Sequence, residues 1–334
     1  MTKPFHCFRV YKQNNQIQGK LETAHLEELS PGEVVIRTHY SSINYKDALG
    51  ATGAGKILRR FPLIAGVDVA GSVESSIDSR FEVGQEVVVT GCGLGEDHDG
   101  GYSEFVRVPS DWVVPLPDGL STQEAMILGT AGFTAALCLE CMERNGQTPQ
   151  QGPVLVTGAS GGVGQLAIQL LSQANYEVVA VSNKEYVHSS LKELGANQVC
   201  LSEELRLGNR PLEKGRWAGA IDNVGGELLS RIIPHIERWG NIACVGMAGG
   251  STLKGSVFPM ILRGVSLLGI SSTNCPMSLR KELWNKLANQ WKPQKLNRSL
   301  SQIISLDGLN EGFQSLLERR NTGRIIVKTG SHDC

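Results

Sequence analysis

The sequence predicts an α/β protein, with a β-rich, barrel-like front followed by a doubly wound parallel sheet. Three observations predict it. Short alternating or apolar runs, cut by Gly, Pro and Asp turns, fill roughly the first 125 residues. From about Thr122 the pattern changes to helix, and apolar strands then alternate with helical segments. Between them stands Pro153 to Gly164, PVLVTGASGGVG, where an apolar run stops at a glycine cluster and a helical pattern opens at once.

In chain order, the front strands are Glu33 to Thr38, Val67 to Val73, Glu86 to Thr90 and Ser103 to Val108. Their turn-bounded spacing predicts a compact antiparallel barrel. Glu124 to Leu128 and Thr130 to Met142 read as helix. Six apolar runs follow: Pro153–Thr157, Glu177–Val181, Gln198–Leu201, Ala218–Ile221, Asn241–Val245 and Val265–Ile270. Spaced by helices, they describe a doubly wound sheet. A polar, Trp-rich helix (Leu279 to Trp291), a last helix (Leu309 to Arg319) and a strand (Arg324 to Lys328) close the chain. The expected domains are 1–125, completed by 293–334, and 126–292.

A strand, a glycine turn and a helix in that order set backbone N–H groups and the positive helix end against a pyrophosphate. Gly158 permits the tight turn, Gly161 and Gly162 the approach of phosphate, and Gly164 the packing of helix on strand. Ser160, Gly161, Gly162 and Val163 are the expected cofactor contacts. A glycine turn without a ligand is the alternative. Dinucleotide folds that take NAD usually end the next strand with an acid on the ribose 2′-OH. Here Ser182, Asn183 and Lys184 stand there, which favours a 2′-phosphate and so NADPH. Against this, Lys184 beside Glu185 also fits the start of a solvated helix.

A chain of 334 residues has room for two domains and a substantial core. A net charge of −1 gives no general attraction to nucleic acid or anionic membrane. No apolar stretch approaches the roughly 20 residues of a membrane helix, and Met1 to Gly19 lacks a signal-peptide run. The eight cysteines are scattered, which suits a reducing cytoplasm. Cys138 and Cys141 form a CxxC within a helix with no second pair, which fits core packing better than metal or redox work.

Six segments carry a family resemblance: SSINYKDAL (Ser41 to Leu49), GTAGFTAALC (Gly129 to Cys138), TGASGGVG (Thr157 to Gly164), RPLEK (Arg210 to Lys214), WAGAID (Trp217 to Asp222) and FPMILRGVSLLGI (Phe258 to Ile270). With the β-rich front and the returning C-terminal strand, nearly the whole chain resembles the medium-chain dehydrogenase/reductase superfamily. Within it, the match is to the zinc-free bacterial acrylyl-CoA reductases, formerly grouped as quinone oxidoreductases. The resemblance implies a GroES-like catalytic domain, a Rossmann domain, and reduction of acrylyl-CoA to propionyl-CoA by NADPH. It also implies a homodimer joined through the strand near Val265 to Ile270. Zinc members need a Cys at the front motif, a His-Glu pair after a glycine, and a later Cys. This chain has Asn44-Tyr45-Lys46-Asp47 and Gly66-Val67-Asp68, and only Cys92 where a structural zinc lobe would need four cysteines, so no metal is expected.

The implied reaction puts a hydride on the β-carbon of an enoyl thioester and a proton on the α-carbon, with hydrogen bonds to the thioester oxygen. The resemblance places Asn44 and Tyr45 beside the nicotinamide. Tyr45 either donates a proton or hydrogen bond, or orients the ribose while water or the cofactor 2′-OH supplies the proton. Lys46 and Asp47 read as an ion pair at a helix start. Lys56, Arg59 and Arg60 are either a basic lip for the phosphates of coenzyme A or a solvated helix face. Ser202 and Lys184 stand where relatives can carry arginine, which weakens the 2′-phosphate clamp. Arg324 resembles the family's last cofactor contact. Leu253 and Leu267 are either apolar neighbours of the nicotinamide half or core. Three functions remain: an enoyl-CoA reductase, a quinone reductase and a non-catalytic NADPH-binding protein. The basic lip favours the first, and an NADPH-oxidation assay isolates the third.

Overall fold

The computed structural model describes residues 4–14 and 16–330, which divide into two compact units. The first begins with β1 (Phe5–Gln13), β2 (Gln16–Ala24), β3 (Val34–Ile43), α1 (Tyr45–Thr52), β4 (Leu63–Ile64), β5 (Asp68–Ser76), β6 (Glu86–Thr90), β7 (Phe105–Val108) and β8 (Val114–Pro115). The chain leaves this unit within α2 (Thr122–Arg144), at Thr130. The second unit holds β9 (Val154–Val156), α3 (Gly162–Gln173), β10 (Val178–Val181), α4 (His188–Glu193), β11 (Gln198–Cys200), β12 (Trp217–Asp222), α5 (Gly226–Ile232), β13 (Ile236–Cys244), α6 (Phe258–Arg263) and β14 (Ser266–Gly269). The chain then returns to the first unit with α7 (Met277–Ala288), β15 (Leu300–Ile304), α8 (Leu309–Leu317) and β16 (Arg324–Lys328).

Two sheets build the first unit, ordered β2-β1-β4 and β15-β16-β3-β5-β6-β8, with β7 also on β3. A bridge between Cys7 and Ser103 links them. The front strands pair antiparallel, as expected, and the C-terminal return adds a parallel pair, β15 and β16, with α8 as their crossover. Alternation along β3, β5, β6 and β7 buries Val34, Ile36, Val69, Val73, Val87, Val89 and Val106 in one cluster. A second cluster joins Ala48 and Ala51 of α1 to Leu309 and Phe313 of α8, and Phe313 meets Phe8 edge-on at 5.8 Å. The C-terminal return thus holds α1 in place.

The second unit is a six-stranded parallel sheet, β11-β10-β9-β12-β13-β14, whose order reverses between β9 and β12. All six expected strands are present. The compact units differ from the expected limits at three places. Residues 126–130 and 273–289, the latter including α7, belong to the first unit, and 293–298 to the second. The reason lies in long-range contacts: buried Arg280 donates to Thr90 O (2.7 Å) and Thr273 O (3.2 Å), and the Cys92 N–H reaches Thr273 O.

α2 also corrects the sequence reading, because it is long and apolar enough to cross a bilayer. It is buried in the protein, and Gly129 breaks its helical geometry at φ 49°, ψ −154°, which is why the sequence read as two shorter helices. Cys138 lies wholly buried on α2, and desolvation pushes its thiol well above the ordinary range. Among the described residues no cysteine forms a disulfide.

Candidate functional site

At the switch point, β9 is followed by buried Thr157 and the chain turns through Gly158, whose φ of +58° is left-handed. Gly161 caps α3, and its N–H reaches Gly158 O. A Cβ on Gly164 would sit 2.5 Å from Gly158 O and 2.6 Å from Ala159 Cα, so helix and turn meet only with glycine there. Residues 164–171 are buried, whereas Ser160, Gly161, Gly162 and Val163 keep partial exposure at the positive end of α3.

A side-chain clasp missed by the sequence reading joins β9 to β12. Thr157 Oγ1 donates to Asp222 Oδ1 at 2.6 Å, and Asp222 Oδ2 accepts the Gly225 N–H at 2.7 Å. Burial pushes the Asp222 carboxyl up. Asn223 donates its N–H to Thr157 Oγ1 and its Nδ2 to Thr157 O. Its Oδ1 is buried without a hydrogen-bond partner among the described residues. An orphaned acceptor beside the glycine turn suits a hydroxyl or amide donor of a dinucleotide. The available signal was an acid ending an apolar strand ahead of Gly225 and Gly226.

The end of β10 brings four expected residues together. Buried Ser182 accepts the Lys184 N–H on Oγ (3.3 Å), and Asn183 Oδ1 accepts the Ser202 N–H (2.9 Å). Lys184 is half-buried, which lowers its ammonium pKa, and the first acid after the strand is Glu185. Leu253 is exposed on the loop after β13, while Leu267 of β14 packs against the apolar core.

In the first unit, Asn44 caps α1, and its N–H donates to Asp47 Oδ2 at 2.8 Å. Its carboxamide is held at both ends: Nδ2 donates to Asp68 Oδ2 (2.7 Å), and Oδ1 accepts from Arg324 Nη1 (3.1 Å). Asn44 is thus buried with both ends of its carboxamide bonded, whereas the next residue, Tyr45, is 41% exposed. Asp68 also accepts from Ser42 Oγ, Thr130 N and Thr130 Oγ1. Arg324, expected at the cofactor, is 3% exposed. Its guanidinium donates to Ile127 O, Ile43 O and Ser42 Oγ as well as Asn44. Gly129 belongs to the same cluster: a Cβ there would sit 2.7 Å from Asp68 Oδ2 and 2.8 Å from Arg324 Nη2.

The expected Lys46–Asp47 ion pair is replaced by others. Lys46 Nζ reaches Glu96 Oε1 (2.7 Å) and Thr273 Oγ1 (3.0 Å), while Asp47 turns inward to accept the Val67 N–H. Burial, reinforced by the charge of Asp68, pushes Asp47 up to about 7. The basic lip is also revised. Arg59 pairs with Asp97 (3.1 Å) and Glu96 (3.6 Å), and Arg60 with Asp99 (3.4 Å) and Ser30, while Lys56 is exposed. Acids on the 96–99 loop therefore neutralise two of its three cations.

Two family models match: the alcohol dehydrogenase GroES-like domain over residues 30–118, and zinc-binding dehydrogenase over 162–289. The chain is 41% identical to the acrylyl-CoA reductase AcuI of Ruegeria pomeroyi over 319 residues, covering 95% of this chain and 96% of that one. It is 43% identical over 329 residues to YhfP of Bacillus subtilis, which carries a quinone oxidoreductase name, covering 98% of this chain and all of the other. The chain belongs to the medium-chain dehydrogenase/reductase family. The crystal structure of B. subtilis yhfP with NAD bound matches 98% of this chain and 100% of the other, at a TM-score of 0.95. That of the Salmonella enterica yhdH oxidoreductase with NADP matches at 0.93 and 43% identity, over 97% and 99% of the two chains. Despite the second model's name, no three His, Cys, Asp or Glu residues among those described group to hold a metal.

Proposed function

We propose that the protein is an NADPH-dependent oxidoreductase that reduces the carbon–carbon double bond of a short enoyl-CoA, with acrylyl-CoA to propionyl-CoA as the leading reaction. The observation that carries the cofactor is the end of β10. Ser182, Asn183, Lys184 and Ser202 form one polar platform with a cation where an NAD-binding fold would present an acid. The acrylyl-CoA reductase relative supports the substrate.

Bound NADPH supplies a hydride. The chain's own residues do the rest. Backbone N–H groups of Ser160, Gly162 and Val163 receive the pyrophosphate, which the bare Gly161 lets approach, and the β10 platform receives the 2′-phosphate. Asn223 Oδ1 gains a donor from the cofactor. Tyr45, held by the Asn44 cap, offers its phenol as a hydrogen bond to the thioester oxygen as charge develops there. The α-carbon proton comes from that phenol or from water. Arg324 and Asp68 act through Asn44 as positioning residues.

Quinone reduction is the second reading. YhfP's name favours it, and the pairing of Arg59 and Arg60 with acids removes a feature that had favoured a thioester. Steady-state rates with NADPH against acrylyl-CoA, crotonyl-CoA and a benzoquinone decide between them. Turnover of the quinone alone overturns the thioester reading, and no NADPH oxidation at all leaves a non-catalytic binding protein. A homodimer is part of the proposal. β14 is a sheet edge, and Trp239, Ile261 and Leu262 stand exposed in the same unit. Sedimentation as a monomer at micromolar concentration would rule it out.

A further inference from the structure

We propose that the nucleotide end of coenzyme A, with its 3′-phosphate and pyrophosphate, docks in a polar cleft of the second unit between residues 208–211 and the loop 249–256. The inference rests on the thioester reading above. The cleft measures about 830 Å³, within the range of small-molecule sites. Its lining carries three cations, Arg210, Arg231 and Lys254, against one carboxylate, Glu227. Glu213, outside the lining, takes up Arg210, so Arg231 and Lys254 are the lining cations without a paired acid among the described residues.

The walls are built. The Gly208 N–H donates to His235 Nε2 at 3.1 Å, which requires a neutral ring, and burial lowers the His235 pKa in that direction. Arg210 is braced on Glu213 through its N–H and Nε, both at 3.0 Å. Arg231 donates through Nη2 to Leu207 O, which fixes its guanidinium, yet its Nε is buried without a partner among the described residues. A planar cation with an unmet donor is suited to phosphate. On the loop, the Lys254 N–H is pinned to Ser230 Oγ at 2.9 Å.

The cleft adjoins the Asn223 end of β12 across a saddle of glycines. Gly249 donates to Val224 O at 2.7 Å, and Gly225 bridges Gly250. A Cβ on Gly225 would sit 2.7 Å from Gly250 O, and one on Gly226 2.7 Å from Gly249 O. No side chain rises from these four residues, so an extended pantetheine arm can cross from the cleft to the switch point where the cofactor belongs. The first unit's Arg59 and Arg60, already paired with acids, offer no competing phosphate site of equal strength.

The 2′-phospho-ADP half of NADPH shares this chemistry, so the test separates the two nucleotides. The full-length R231Q/K254A variant and K254A alone are compared with wild type, measuring KM for acrylyl-CoA and acryloyl-pantetheine and calorimetric binding of 3′,5′-ADP and 2′,5′-ADP. The double variant should raise KM for acrylyl-CoA about tenfold or more and lose 3′,5′-ADP, with acryloyl-pantetheine and 2′,5′-ADP unchanged. K254A, which leaves the Leu207 contact intact, should show the same pattern at about threefold. The inference is overturned if KM for both thioesters rises together. It is equally overturned if 3′,5′-ADP still binds the double variant as it binds wild type. Equal wild-type KM for both thioesters overturns the cleft while leaving the enoyl thioester reading intact. A wild-type protein that reduces neither thioester but reduces a quinone overturns that reading itself.

Discussion

The two polar centres of this protein are built in opposite ways. At the glycine turn, the working groups are backbone N–H donors at a partly exposed helix end, and side chains matter chiefly by their absence. Around Asp68, the working groups are side chains sealed from water, each satisfied by a partner distant in sequence. The first centre tolerates changes of charge and fails when volume is added. The second tolerates little change of charge, because each donor left behind is buried.

The largest expected effect attacks the second centre. Asp68→Ala leaves Arg324 as a buried cation without its acid, together with the donors on Ser42, Asn44 and Thr130. The loss should be about 3–5 kcal/mol, read as a lower urea midpoint. A loss below about 1 kcal/mol would mean that water enters and the contrast is false. Next comes Gly164→Ala at the first centre, where the new Cβ meets backbone on two sides. It should cost about 1–3 kcal/mol of stability and weaken NADPH binding. Gly161→Ala should cost much less in stability, since its Cβ meets Gly158 O at an ordinary 3.4 Å.

Lys184→Ala tests charge at the end of β10, outside both centres. NADPH affinity should fall by about tenfold to a hundredfold, with NADH affinity and the urea midpoint almost unmoved. Equal losses for both cofactors would remove the 2′-phosphate contact from the account. The remaining test is a pH dependence at the second centre. Asp47, raised to about 7 by burial and by Asp68, holds a proton in the folded protein that the unfolded chain releases near pH ~4. Folding therefore binds protons in that window, so this group's contribution makes stability fall as pH rises from ~4 to about 7. Asp47→Asn should flatten that slope, and an unchanged slope would assign it to another group.

The sequence by itself determined the turn at Gly158, the packing role of Gly164, the acid-free end of β10, and the break in α2 at Gly129. Each is a local matter, in which φ, strand period and the chemistry of a few consecutive residues decide the outcome. The family matches support the same two-part architecture. Tertiary structure alone decided that Arg59 and Arg60 meet Asp97 and Asp99, that Lys46 leaves Asp47 for Glu96, and that Arg324 lies buried against Asn44. It also joined α7 to the first unit and left Asn223 Oδ1 without a donor. A charged side chain takes whichever partner the packed backbone brings within hydrogen-bond reach, and burial then makes that choice costly to reverse.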